Sequence, residues 1–195
     1  MSVTDQQKWD KKYVAKPQLL RPREASKVLQ KYAFQEVGLR ALDLASGAGR
    51  NTIYLAQKGY SVDAVDIAEI ALKSLTKEAL EGGLQENITT YLEDLDLFSV
   101  TPQAYELVVM CNFLDRTLIE RTKEALKVGG RYIVETYMVS DENEKEDSKS
   151  SNLLAEGELK TIFGEGFEIL HYDSFENEDY EIYRMKKQVI VAQKL

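Results

Sequence analysis

Cysteine and histidine are nearly missing from this chain, which holds one of each, Cys111 and His171. A lone thiol excludes an internal disulfide and a zinc cluster built from cysteines, and a lone imidazole leaves metal catalysis and histidine-centred triads with little support. Basic charge is also short: 25 Lys plus Arg face 33 Asp plus Glu, for a net charge of −8. That balance argues against a broad phosphate-binding surface, so no nucleic-acid partner is expected and a small molecule is the better default. Long apolar runs are absent too. None approaches the ~20 residues that span a bilayer, and the polar stretch Met1 to Asp10 lacks the apolar core of a signal peptide. The expectation is a soluble, cytoplasmic protein without a membrane partner. What remains is 195 residues, 44% of them hydrophobic, enough for one domain with a single large core.

The chain is organised around Arg40 to Thr52. A short apolar run, Ala41 to Leu44, breaks into Ser46-Gly47-Ala48-Gly49, and a helical pattern with Ile53, Leu55 and Ala56 follows at once. Such a strand, tight turn and helix lets a ligand approach backbone, because glycine reaches positive φ without a Cβ clash and the first N–H groups of a helix lack partners. Ahead of it, a helical cap over residues 1–36 is expected on a core of 37–195. One cap helix is Asp5 to Tyr13, with Trp9 and Tyr13 four apart on one face; a second is opened by Pro22 ahead of Ala25, Val28, Leu29 and Tyr32. Trp9 and Tyr13 read as packing on the core edge, with a flap over a bound ligand as the alternative.

Beyond the turn, Asn51 to Lys58 is a helix closed by Gly59, Ser61 to Asp66 a second strand, Ile67 to Leu80 an amphipathic helix and Ile88 to Leu92 a third strand. Tyr105 to Cys111 is the most apolar strand and belongs near the sheet centre. Arg116 to Leu126 reads as a helix, Val128-Gly129-Gly130 as a turn, and Arg131 to Met138 as a fifth strand. Ser140 to Ser151, rich in acids, Lys and Ser without periodicity, reads as a mobile surface loop in preference to a lid. A short helix from Gly157 to Phe163 precedes two strands, Glu168 to Tyr172 and Ile182 to Ala192, whose acidic connection is too short for a crossover helix. The sum is an α/β chain: five mainly parallel strands with helices on both faces, finished by an antiparallel hairpin.

In open α/β sheets ligands bind beyond the carboxyl ends of the strands. The glycine turn follows strand one, Asp66 ends strand two, Asp94 to Asp96 follow strand three, Cys111-Asn112-Phe113 follow strand four, and Tyr137-Met138 end strand five. Asp66 is placed to accept hydrogen bonds from ribose hydroxyls, which suits a dinucleotide or an adenosyl cofactor equally. Two details disfavour NAD: Thr52 occupies the slot where a dinucleotide fingerprint wants Gly or Ala, and Asp43 lies inside the first strand, an odd neighbour for a pyrophosphate.

Leu42 to Asn51, Asp66, Asp94-Leu95-Asp96, Leu126 to Gly130 and the terminal hairpin resemble a class I S-adenosylmethionine-dependent methyltransferase with its Rossmann-like sheet. Within that superfamily, Gly-Arg-Asn after the turn, Phe113 to Arg116, Glu135-Thr136 and Glu156 to Leu159 are similar to the tellurite-resistance methyltransferase group. The resemblance implies S-adenosylmethionine as cofactor. It places Asp43 and the backbone of Ala45 and Gly47 around the methionine moiety, with Gly49 in the turn, and Arg50 and Asn51 at the helix N-terminus facing the carboxylate. It gives Asp66 the ribose, Ile67 the adenine face, Asp94 and the Leu95 backbone the adenine amine, and Cys111 and Asn112 the border of the methyl group. The family commonly has glycine where this chain has Ala45, so backbone approach there is less free.

Methyl transfer is an in-line displacement at an activated sulfonium, so holding the acceptor close and dry supplies much of the catalysis and no general base is obligatory. For a soft anionic acceptor, a thiolate or a chalcogen oxyanion such as tellurite, cationic or hydrogen-bonding positioners matter more; Arg116, Arg21, Arg184 and Tyr137 are the candidates. His171, in an apolar strand, reads as packing. An S-adenosylmethionine-binding sensor or complex subunit without transferase activity would need the same cofactor residues, and an NAD-dependent oxidoreductase is a distant third.

Overall fold

The computed structural model describes residues 3–145, 150–177 and 183–195. In chain order the elements are α1 (Val3–Ala15), α2 (Lys27–Tyr32), β1 (Arg40–Leu44), α3 (Arg50–Gln57), β2 (Ser61–Asp66), α4 (Glu69–Glu81), β3 (Ile88–Leu92), β4 (Tyr105–Cys111), α5 (Arg116–Thr122), β5 (Leu126–Tyr137), α6 (Glu158–Ile162), β6 (Phe167–Glu176) and β7 (Lys186–Lys194). The strands form a 7-stranded sheet in the order β3-β2-β1-β4-β5-β7-β6. The first five pair in parallel, while β7 runs antiparallel to both β5 and β6.

The apolar runs explain the placing of the strands. Ala41, Leu42 and Leu44 of β1 and Leu107 to Met110 of β4 are buried on both faces, as central parallel strands require. β3 and β6 alternate with exposed positions and sit at the two edges. On one face Ala41, Val109, Ile133 and Val191 pack against Leu29 of α2 and Leu55 of α3, extended by Ile53 and Ala64 against Leu75 of α4. On the other, Leu44, Met110, Val134 and Ile190 pack against Leu118 of α5 and Leu159 and Phe163 beside α6. Each fully buried leucine contributes roughly 1.5–3 kcal/mol.

Three local expectations change. α2 begins at Lys27, because Ser26 and not Pro22 opens it: the Ser26 hydroxyl accepts the Leu29 N–H at 3.3 Å. The Arg116 helix ends at Thr122 and gives way to a 3-10 turn at Lys123–Ala125, while Val128-Gly129-Gly130 lies inside β5. Those residues form a bulge, since Tyr105 pairs with Leu126 but Leu107 pairs with Arg131. The hairpin strands run longer toward their carboxyl ends than expected, and the second starts at Lys186. Residue 182, where it was expected to start, and residues 146–149 of the expected loop lie outside the described residues. No described helix is long and apolar enough to cross a membrane.

Candidate active site

The strand order reverses between β1 and β4, so a crevice opens beyond their carboxyl ends. Both strands leave the sheet there through non-glycine residues in the left-handed region, Ala45 at φ 54° and Asn112 at φ 58°. Backbone held in this way concentrates at functional sites. The Ser46 hydroxyl and the Asn112 amide oxygen are buried beside it without a hydrogen-bond partner.

Asp43 forms the floor. It is 2% exposed, and its Oδ2 accepts the Thr52 hydroxyl at 2.6 Å. Burial pushes its carboxyl up to about 7, opposed by the Thr52 hydroxyl and the Arg50 charge. Thr52, the residue that spoils a dinucleotide fingerprint, therefore serves as the partner of Asp43. Gly49, at φ 83°, caps α3, and a Cβ there would stand 2.2 Å from Leu75 Cδ1. The turn can approach α4 only without a side chain.

Asp66 ends β2 and points back to the turn. Its Oδ2 accepts the Gly47 N–H at 2.7 Å and its Oδ1 the Ala68 N–H at 2.8 Å. The Gly47 N–H, set toward the ligand by the resemblance, is thus bonded to Asp66, which is 8% exposed. Burial raises the Asp66 carboxyl, and the Ala68 and Gly47 N–H groups counter it. Over this corner lies α1. The Asp10 carboxylate accepts the Ile70 N–H at 3.0 Å, supplying the cap that α4 lacks at Ala68. A Cβ on Gly47 would be 3.0 Å from the Tyr13 hydroxyl, which burial and then the Asp66 charge keep well above its ordinary pKa. Tyr13 of α1 therefore lies against the glycine turn.

The other wall collects Arg50, Asn51, Cys111 and Glu135. Asn51 Oδ1 accepts the Ser26 N–H at 3.0 Å, and Arg50 stands 3.6 Å from Glu135. Burial, then Glu135, pushes the Cys111 thiol well up, so it is not a nucleophile. Toward β3, Ile67 is 9% and Leu95 1% exposed; Asp94 Oδ1 accepts the Asp96 N–H at 2.9 Å, and the Leu95 carbonyl accepts from Arg121.

The acceptor candidates fall elsewhere. Arg116 forks onto Glu158 and donates to the Ser151 and Leu153 carbonyls, so it fastens the stretch before α6. The Arg184 side chain is 57% exposed, 3.9 Å from Glu144, and Arg21 is on the surface. Tyr137 alone lies near the crevice, its ring 5.2 Å from the Lys187 ammonium. Lys187 and Ser26 were missed by sequence reasoning; β7 also carries Lys186 and Gln188, so nothing in the sequence marked Lys187 as the buried lysine. His171 stacks on Tyr32 at 5.2 Å, as packing requires. No group of three or more His, Cys, Asp or Glu among the described residues could hold a metal ion.

Comparison with known proteins places this geometry. The family model described as Tellurite resistance protein TehB matches residues 1–188. The chain belongs to the TehB family of class I S-adenosylmethionine-dependent methyltransferases. It is 30% identical over 141 residues to a probable S-adenosyl-L-methionine-dependent methyltransferase TehB of Haemophilus influenzae, a match covering 69% of this chain and 48% of that protein. The chain thus spans about half the length of the curated TehB relatives it matches. The crystal structure of TehB from Haemophilus influenzae superposes with a TM-score of 0.70 at 26% identity, covering 86% of this chain and 60% of that one. A methyltransferase structure from Methanosarcina mazei, at 20% identity and TM-score 0.70, covers 89% and 99% and shares the fold.

The residues of this TehB-family site fit S-adenosylmethionine. Its ammonium and sulfonium suit a crevice floored by Asp43, and its ribose hydroxyls suit the acceptor capacity left on the Asp66 carboxylate. The buried, unpartnered oxygens of Ser46 and Asn112 suit its hydrogen-bond donors.

Proposed function

We propose that this chain transfers a methyl group from S-adenosylmethionine to a small-molecule acceptor, a thiol or a chalcogen oxyanion such as tellurite, in the cytoplasm. One observation supports the reading above others: two buried carboxylates, Asp43 at the end of β1 and Asp66 at the end of β2, bracket a glycine turn. Binding a doubly cationic methionine end against one and a ribose against the other uses both. The cofactor supplies a methyl already activated on sulfonium. The residues of the chain then have to hold, orient and keep dry. Asp43 orients the amine, Arg50 at the start of α3 attracts the methionine carboxylate, Asp66 holds the ribose, and Ile67, Asp94 and Leu95 line the adenine end. Tyr13 and α1 exclude water by closing over the turn.

The test is to incubate labelled S-adenosylmethionine with thiols, tellurite, selenite, amines and phenols and to follow label into product. Turnover with a thiol or an oxyanion is expected. Tight cofactor binding with no turnover across the panel would instead favour a cofactor sensor.

A further inference from the structure

Glu135, at the carboxyl end of β5, is 1% exposed. Its Oε2 accepts the Ser26 hydroxyl from the cap of α2. Its Oε1 receives no hydrogen bond. Two cations stand off that oxygen, Arg50 of α3 at 3.6 Å and Lys187 of β7 at 3.8 Å. Lys187 is itself 0% exposed. Cys111 of β4 is the register partner of Glu135 across the sheet.

A buried ion pair kept for stability alone should be tight and saturated, because each ion loses its water and only close hydrogen-bonded contact repays the loss. This one is not tight at Oε1. Both cations lie beyond hydrogen-bonding distance of Oε1, and an apolar pair of the same shape would join β5 to β7 without stripping any charge of water. A dry carboxylate oxygen without a donor is instead suited to receive an X–H group.

We infer that Glu135 is the proton acceptor for the methyl acceptor, and that Lys187 beside it holds the anion so formed. The substrate class is then a neutral protic nucleophile, a thiol first. The inference rests on the methyltransferase reading. The thiol S–H approaches Oε1, while the Ser26 hydroxyl stays on Oε2. Its S–H bond breaks, the proton goes to Glu135 Oε1 and the electron pair stays on sulfur. That pair then forms the bond to the methyl carbon as the methyl's bond to the sulfonium breaks, leaving its pair on the departing sulfur. The proton passes from Glu135 to water as the product leaves.

Calorimetry separates the two claims: a wild-type protein that binds neither S-adenosylmethionine nor its demethylated product ends the methyltransferase reading, and this inference with it. With binding in hand, phenylmethanethiol, mostly neutral at neutral pH, is compared as acceptor with 4-nitrobenzenethiol, mostly ionised. In Glu135→Gln, kcat/KM for the neutral thiol should fall by about 100-fold or more, and the loss for the ionised thiol should be at least about tenfold smaller. Phenylmethanol, which donates a hydrogen bond but is far less nucleophilic, should bind the product complex about tenfold more weakly in the same variant. Because Glu135→Gln removes a negative charge beside Lys187, Glu135→Gln/Lys187→Met removes both charges: it should melt at or above the wild-type temperature and still fail with the neutral thiol. Equal losses on the two thiols would overturn the inference. So would recovery of neutral-thiol turnover in the double variant, or a wild type that methylates an oxyanion and neither thiol.

Discussion

The pH dependence of cofactor binding should report Asp43 directly. Burial raises its carboxyl to about 7 in the cofactor-free protein, whereas an unperturbed aspartate ionises near 3.9. An ammonium and a sulfonium next to it favour the charged form, so binding is linked to loss of the proton. If only ionised Asp43 accepts the cofactor, the dissociation constant should be about tenfold larger at pH 6 than at pH 8, or about 1.4 kcal/mol of binding. The sign for stability is opposite. The folded-state value lies above the unfolded one, so the stabilising contribution of the bound proton is fully present below pH ~4 and is lost as pH rises through about 7. Asp43→Asn should therefore raise the stability of the cofactor-free protein at pH 8, by up to roughly 4 kcal/mol, while weakening S-adenosylmethionine. Titration calorimetry from pH 5.5 to 8.5, with urea melts of both proteins, measures both halves. Asp66, also raised by burial, would add a second acid limb, which Asp66→Asn removes and Asp43→Asn leaves. An affinity flat across the range, or an Asp43→Asn protein that keeps the whole wild-type pH profile, would refute the reasoning.

Gly49→Ala should destabilise the fold by roughly 2–3 kcal/mol in urea, because its Cβ would meet Leu75 at 2.2 Å, and Leu75→Ala should restore part of that loss. Asp10→Ala removes the side-chain acceptor for the Ile70 N–H and should cost about 1 kcal/mol, with both association and dissociation of the cofactor faster in stopped flow as α1 loosens over the turn. Ala45→Gly relieves a Cβ held at φ 54°. Set against the added freedom of glycine in the unfolded chain, it should leave the melting temperature within a few degrees while cofactor affinity holds or improves. Arg116→Ala breaks the fork onto Glu158 and should speed proteolysis near Ser151 to Leu153 without changing kcat/KM for the acceptor; a tenfold loss of kcat/KM with proteolysis unchanged would return Arg116 to the acceptor site.

The glycine turn, the four parallel strands around it and the acids at their ends were legible because each is carried by a local pattern: apolar runs, helical periodicity and glycines at fixed offsets. Asp43, Thr52 and Asp66 could be singled out for that reason. What the pattern could not convey were the partners drawn from far along the chain. Ser26 reaches Glu135 and Asp10 reaches the Ile70 N–H, pairings that leave no trace in spacing. The same lack hid the surroundings of the acceptor candidates. Arg116 is visible as a cation, but its fork onto Glu158 is a tertiary fact, and so is the burial of Lys187 in β7. Pro22 fitted a helix start, yet the tertiary bonds of Ser26 decide where α2 begins. The resemblance set the Gly47 backbone beside the methionine moiety, and that its N–H bonds to Asp66 is one more tertiary fact.

The central claim is that the crevice between β1 and β4 binds S-adenosylmethionine through Asp66 and the glycine turn. Titration calorimetry of wild type and Asp66→Ala with S-adenosylmethionine, its demethylated product and NAD tests it most directly. Saturable binding of the first two, silence with NAD, and a more than tenfold loss in Asp66→Ala are predicted. Binding of NAD in their place, or an unchanged affinity in Asp66→Ala, would contradict it.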